Sequence, residues 1–287
     1  MQKGIVYILL LICSAKNGIL CTHRNEPKEA EITDPIVLAF ANQKGGVGKT
    51  TSTVNIAASL GYLGHKTLLI DSDPQGNATS GVGIGKKNLR GSLYEVYSGE
   101  CSAEDAIRPT EYKDLSVLPA TIDLAGAEFD LMDRPRREAT LKNALASLPE
   151  PFEYILIDCP PSLSLLTVNA LTAANGVVIP MQCEYFALEG LTQLMLTVRR
   201  VKNAYNPALG ITGILITMYD GRLNLSAQVL DELKKYYADK LLTTMIPRNV
   251  KLSEAPSYGE PAIYHDKYSR GSLAYLDAAK ELIRRVL

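Results

Sequence analysis

Short apolar runs alternate along this chain with longer stretches whose apolar residues recur every three or four positions. The runs are Ile36–Ala41, Thr67–Ile70, Leu115–Pro119, Tyr154–Asp158, Gly176–Pro180, Ile211–Met218 and Leu242–Ile246. Each reads as a strand, and the continuous apolar run Thr67–Ile70, bounded by turns, has the pattern of a strand buried on both faces of a parallel sheet. The helical stretches lie between them. One carries Val54, Ile56, Ala57, Ala58 and Leu60; others are 163–174, 184 to about 204, 225–237 and 274–286. Residues 122–148 also show helical spacing, interrupted by Pro135. Residues 78–113 are glycine-rich and then irregular, and no element is assigned there. Strand–helix alternation of this kind predicts an α/β fold: three layers, α/β/α, with a mostly parallel twisted sheet and helices on both faces. No internal repeat, low-complexity tract or second domain interrupts it.

Composition changes this picture only at the front of the chain. A formal net charge of −1 over 287 residues excludes a globally basic protein, so any nucleic-acid contact must come from a local patch. Five scattered cysteines without CxxC spacing argue for reduced thiols rather than a disulfide framework or a zinc site. Residues 1–34 stand apart from the domain expected over 35–287. Lys3, the apolar run Ile5–Cys13 and then Ser14 and Ala15 imitate a secretory signal, and the run is too short to span a bilayer as a helix. It reads as an extension from an upstream start, a weak membrane-associating tail or a true signal. The first is preferred, because nucleotide chemistry follows it.

That chemistry begins where the first apolar run ends. Lys44-Gly45-Gly46-Val47-Gly48-Lys49-Thr50-Thr51 joins a strand to a helix, the arrangement of a phosphate-binding loop. Glycines let the backbone curl its N–H groups into one hollow, and the helix start adds partial positive charge. Lys49 can reach β- and γ-phosphates, and the Thr50 hydroxyl can ligate Mg²⁺. Where the usual pattern opens with Gly, this chain has Gln43, with an additional lysine, Lys44, beside it. Asp71 and Asp73 close the second run, and Asp158 closes the fourth in a Walker B arrangement, whose carboxylate holds Mg²⁺. Acids beside phosphate need a cation or a proton. Cys159 has no nearby base in sequence and reads as a small core residue.

Taken together, Asn42 to Thr50, Asp71 to Asn77, Asp158 to Ser162, Glu184 to Gly190, Thr217 to Asp220 and Ile246 to Asn249 closely resemble the ParA/Soj branch of the deviant Walker A (MinD-like) P-loop ATPases. The resemblance runs from about Ile36 to the end. It implies an ATPase, weak and stimulated by a partner, using ATP and Mg²⁺. It implies that Lys44 crosses a homodimer interface to the nucleotide of the other subunit, and that Gly45, Gly46, Val47, Gly48 and Lys49 wrap the phosphates, with Thr51 at the α-phosphate. Thr50 and Asp158 are implied on the metal. Asp73 would position the attacking water; Asp71 competes for that role but is better placed as a structural or metal-side acid. Pro247 and Asn249, with Met218 close by, would meet the adenine, and an ordinary core position is an equal alternative for Met218.

The same resemblance implies an ATP-state homodimer that binds double-stranded DNA without sequence preference, released when a ParB-type centromere-binding partner stimulates hydrolysis. Arg222, Lys251 and Arg199 are the candidate DNA contacts, and Arg200, Lys202, Arg248 and Arg270 weaker ones; for any single surface cation, solvation is the simpler account. A cytoplasmic, nucleoid-associated protein without stable membrane association is expected. The alternative is a MinD-like membrane-cycling regulator, which would need a C-terminal basic amphipathic helix as anchor; Lys280–Leu287 only hints at one. An iron–sulfur ATPase would require cysteine pairs that Cys101, Cys159 and Cys183 do not supply.

Overall fold

The computed structural model describes residues 34–87, 89–149 and 152–286. The reading of the first 34 residues therefore lies, Asp34 apart, outside the described residues. In chain order, β1 (Ile36–Phe40) leads to α1 (Lys49–Tyr62), and β2 (Thr67–Asp71) to the short α2 (Asn77–Gly81). Next come α3 (Leu93–Ser98), α4 (Ala103–Ala106), β3 (Arg108–Pro109) and β4 (Leu115–Leu118). Then follow α5 (Ala127–Asp130), α6 (Thr140–Ala146), β5 (Tyr154–Asp158), α7 (Leu165–Ala173), β6 (Gly176–Met181) and α8 (Ala187–Ala204). The chain continues through β7 (Gly210–Ile216), α9 (Asn224–Tyr237), α10 (Val250–Glu254), α11 (Ala262–His265) and α12 (Arg270–Val286).

The seven strands form one sheet in the order β3-β4-β2-β5-β1-β6-β7, parallel except for the β3–β4 pair. Alternation sends neighbouring residues of one strand to opposite layers. Val37 and Ala39 of β1 join one apolar core with α7 and α8, while Leu38 and Phe40 join the other with α1 and α12. β5 divides likewise, Ile155 and Ile157 against Tyr154 and Leu156. Two-sided burial is why these strands read as unbroken apolar runs. The expected α/β three-layer architecture is present.

Two expectations are corrected. The apolar run at 242–246 forms no strand. It lies along β7 and shares bonds with it: Ile214 N–H donates to Lys240 O (2.7 Å), Leu242 N–H to Ile214 O (2.9 Å) and Ile246 N–H to Ile216 O (2.8 Å). The intervening Thr243 and Thr244 N–H groups instead donate to the Glu281 carboxylate of α12, at 2.8 and 2.9 Å. A side chain has taken the donors that a ladder would use. Residues 122–148 are not one interrupted helix but short pieces, two of them 3₁₀ (Ile122–Gly126 and Arg137–Ala139) around α5 and α6. Pro135 and the left-handed backbone of Arg136 (φ 55°) separate the halves.

Candidate functional site at the carboxyl end of the sheet

β1 lies between β5 and β6, so the loop leaving it opens at the carboxyl edge of the central strands, where open α/β sheets place their ligands. Asn42 starts the loop. Its amide donates to Pro180 O (2.8 Å), and its oxygen accepts from Lys44 N–H (3.0 Å). Gly46 and Gly48 have φ of 74° and 80°, conformations that few other residues adopt. A Cβ on Gly45 or Gly46 would meet nothing within 4 Å, so the loop curls around open space. Gly48 precedes α1, and among the described residues no side chain caps that helix, leaving its first N–H groups to an anion.

The two lysines sit differently. Lys49 is buried, its Nζ donating to Lys44 O at 3.2 Å. Burial lowers its pKa, and Asp158, Cys159 and Asp73 nearby push the other way. Lys44 points outward, 40% exposed, and forms an ion pair with Glu184. Gln182 from the same segment donates to Gly46 O at 2.7 Å. The segment 182–186 thus grips the phosphate loop and presents Tyr185 and Phe186, 73% and 68% exposed, edge-to-face beside it. Sequence reasoning gave Gln182 and Glu184 no role; a polar pair following a buried strand that neighbours β1 was the available signal.

The acids divide as sharply. Asp158 is fully buried; Thr50 donates to its Oδ2 (2.7 Å) and Thr53 to its Oδ1 (3.0 Å). Asp71 lies opposite it in the β2–β5 register. Burial raises the pKa of both; the neighbouring Asp71 carboxylate raises that of Asp158 further, while hydrogen bonds from Thr79 and Asp73 offset part of the rise at Asp71. Asp71 was expected as a structural or metal-side acid. Its Oδ1 accepts from Asp73 N–H (3.2 Å) and its Oδ2 from the Thr79 N–H and hydroxyl (2.7 Å each), so its bonds go to the 73–79 turn. Asp158 alone of the two has the Thr50 hydroxyl that a cation site requires. Among the described residues no group of three His, Cys, Asp or Glu side chains could enclose a metal. The donor set of one threonine hydroxyl and one buried carboxylate fits Mg²⁺ that completes its shell with water and phosphate. Asp73 stands in the turn, its Oδ1 accepting from Gln75 N–H at 2.9 Å. Cys159 is buried and its thiol pKa is pushed far up by burial, in keeping with a core residue.

Beyond Gly48 lies a cleft of about 490 Å³ of open space, lined by Thr51, Thr217, Met218, Pro247 and Asn249 among others. Tyr219 N–H donates to Ile246 O (2.9 Å), which brings the end of β7 and the 246–249 loop together. Met218 is half-buried on the cleft wall with φ of 50°, a position unlike that of a core methionine. Asn249 caps α10, its side chain accepting from Lys251 N–H at 2.8 Å. Tyr275 also lines the cleft, its hydroxyl 3.0 Å from that of the buried Ser52.

The three candidate DNA contacts are not gathered into one patch. Arg222 is 89% exposed but fixed to Asp220 by two side-chain bonds, of 2.9 and 2.6 Å, which hold that carboxyl down at about 2. Lys251 is paired with Glu254 at 2.9 Å. Both lie on segments at the carboxyl end of the sheet. Arg199 is exposed late in α8, which starts at that end and runs back toward the other, so the helix carries it away from the other two. Among the described residues no helix is long and apolar enough to cross a membrane.

Comparison with known proteins agrees with this geometry. The sequence profile of the AAA domain family matches residues 36–211. Soj, the sporulation initiation inhibitor protein of Bacillus subtilis, is 54% identical over 246 residues, spanning 86% of this chain and 97% of its own length. The chromosome partitioning protein ParA of Caulobacter vibrioides is 51% identical over 251 residues, spanning 87% of this chain and 94% of its own. Among solved structures, cobyrinic acid a,c-diamide synthase of Mycobacterium smegmatis with bound ATP analogue and magnesium is 41% identical, with a TM-score of 0.78 over 87% of this chain and 94% of that one. The cell division ATPase MinD of Pyrococcus furiosus is 26% identical, with a TM-score of 0.73 over 88% of this chain and 99% of that one.

Proposed function

The chain belongs to the Soj/ParA family of chromosome-partitioning ATPases, and from that premise we propose that it is an ATP-driven partitioning switch. Its ATP-bound form is a homodimer that binds duplex DNA without sequence preference, and a ParB-type partner accelerates its otherwise slow hydrolysis and so releases it. The observation that carries this reading is the division of labour between the two lysines, one buried in the phosphate loop and one standing outside it.

Lys49 and the loop N–H groups hold the β- and γ-phosphates, Thr51 stands at the α-phosphate, and the cleft beside Met218, Pro247 and Asn249 takes the adenine. Thr50 and Asp158 would hold Mg²⁺, which when bound neutralises phosphate charge and orients the phosphoryl group. Asp73 orients the attacking water by accepting a hydrogen bond from it; the water's oxygen bonds to the γ-phosphorus as the bond to the β–γ bridging oxygen breaks, giving ADP and phosphate, and the proton the water loses passes to the phosphate formed. Lys44 of one subunit adds positive charge at the other subunit's transferring phosphoryl group, where charge builds up in the transition state. Turnover then requires two copies.

DNA is met through phosphate contacts from Arg222 and Lys251, each of which exchanges an intramolecular carboxylate for a phosphate. The protein works in the cytoplasm on the nucleoid. A MinD-like cycle would use a terminal helix free to leave the domain. Here α12 buries Tyr275, Ala278, Ala279 and Leu282 in the core, and Arg285 bonds the carbonyls of Lys240 and Leu241, at 3.2 and 2.5 Å. The test is binding to random-sequence duplex with ATP, ADP and no nucleotide, at low and raised salt. Binding with ATP alone, weakening steeply with salt, is the expected result. Equal binding in all three states overturns the switch.

A further inference from the structure

The turn that carries Asp73 is fastened to a threonine for which the reaction so far has no use. Asp71 is fully buried, and its two oxygens accept from the two ends of that turn: Asp73 N–H on Oδ1, and the Thr79 N–H and hydroxyl on Oδ2. The Thr79 hydroxyl works in both directions. It donates to Asp71 and accepts from Ala120 N–H at 3.0 Å, so the segment following β4 is tied to the same point. There is little slack. Gly76 is left-handed (φ 62°), and a Cβ there would stand 2.8 Å from Ala120 O. Asp73 O accepts from Gly76 N–H at 2.8 Å, closing the turn on itself. The main-chain position of Asp73 is thus set by the Asp71 carboxylate, whose orientation is set by Thr79.

We propose that Thr79 is a positioning residue for ATP hydrolysis, acting through Asp71 to hold Asp73 where the attacking water must be oriented; this rests on the reading of Asp73 given above. Asp71 then acts on the turn and not on the metal. Small displacements of a water-orienting group cost rate more than affinity, because the ground state does not use that contact. Valine at position 79 keeps the branched shape but leaves Ala120 N–H without its acceptor and Asp71 without one donor. Serine keeps the hydroxyl and both bonds.

The experiment uses the full chain and four variants, Thr79→Val, Thr79→Ser, Asp71→Asn and Asp73→Ala. It measures single-turnover hydrolysis of Mg²⁺-ATP, affinity for a fluorescent ATP analogue, and the Mg²⁺ concentration that gives half the maximal rate. Thr79→Val should lower the rate at least tenfold with affinity within twofold, and Thr79→Ser should stay within threefold of the parent. Asp71→Asn should lower the rate with its Mg²⁺ requirement unchanged. An unchanged rate in Thr79→Val, while Asp73→Ala is inactive, overturns the proposal and leaves the Asp73 assignment standing. An active Asp73→Ala overturns that assignment first. If Thr79→Val does not fold, the other variants decide. A Thr79→Ser rate down tenfold removes the hydroxyl's role, and an Asp71→Asn whose rate recovers at tenfold higher Mg²⁺ returns Asp71 to the metal.

Discussion

Two buried carboxylates, Glu281 on α12 and Asp158 at the end of β5, are treated in opposite ways. Glu281 on α12 accepts from Thr243 N–H, the Thr243 hydroxyl and Thr244 N–H, and Arg285 bonds it at 3.0 Å. Burial pushes its pKa up, but the hydrogen bonds outweigh burial and hold the carboxyl down at about 2. Asp158 beside the phosphate loop has two threonine hydroxyls and a second acid for a neighbour, and its pKa is raised. One carboxylate is fully provided for by its own chain. The other is left short of positive charge, as the Mg²⁺ site proposed above would require. Burial by itself separates nothing here; whether the donors at hand match the acceptor does.

The comparison can be broken by exchanging its terms. Asp158→Asn should lower ATP turnover by roughly a thousandfold, while the unliganded protein melts at the same temperature or higher, since a poorly compensated charge has gone. A large fall in melting temperature would make Asp158 a structural acid like Glu281. Lys44→Ala should abolish partner-stimulated turnover and leave nucleotide affinity within a fewfold; normal stimulated turnover removes the trans role. Glu281→Ala should cost about 3 kcal/mol in urea unfolding, because it strands buried N–H donors, with turnover per folded molecule kept. The pH profile sharpens the contrast. The folded pKa of Glu281 lies below its usual 4.5, so its contribution is complete above 4.5 and is lost as pH falls toward about 2. Glu281→Gln should flatten that acid limb, and an unchanged limb would show that other groups set it. The smallest effect belongs to Arg222→Ala, which should reduce the slope of log affinity for DNA against log salt by about 0.9, with nucleotide binding unaltered.

The sequence was most informative where a residue's neighbours in space follow from its neighbours in the chain. The apolar runs from Ile36, Thr67, Tyr154 and Gly176 are strands, because burial on both faces leaves no alternation to confuse them. The phosphate loop was legible from its glycines. The run at Leu242 looked equally strand-like, yet whether its N–H groups enter a ladder was decided by Glu281, far along the chain. That Asp71 is bonded to Asp73 and Thr79, and through Thr79 to Ala120, was not legible, because Ala120 is brought in by the fold. Arg222 looked like a free cation and is held by Asp220, two residues away, a pairing set by the conformation of the turn.

The edge of the sheet at β7 has a further consequence. Residues 241–247 lie along it, and the Thr243 and Thr244 N–H groups are taken by Glu281 of α12, so among the described residues β7 is not left as a bare edge. At the opposite edge stands β3, two residues long and ending in Pro109, which has no N–H to give. A covered edge at one border and a short, proline-ended one at the other both hinder strand addition, a common route to unintended polymers. For a protein that pairs reversibly with its own copies, as proposed above, fewer competing contacts between sheet edges are an advantage.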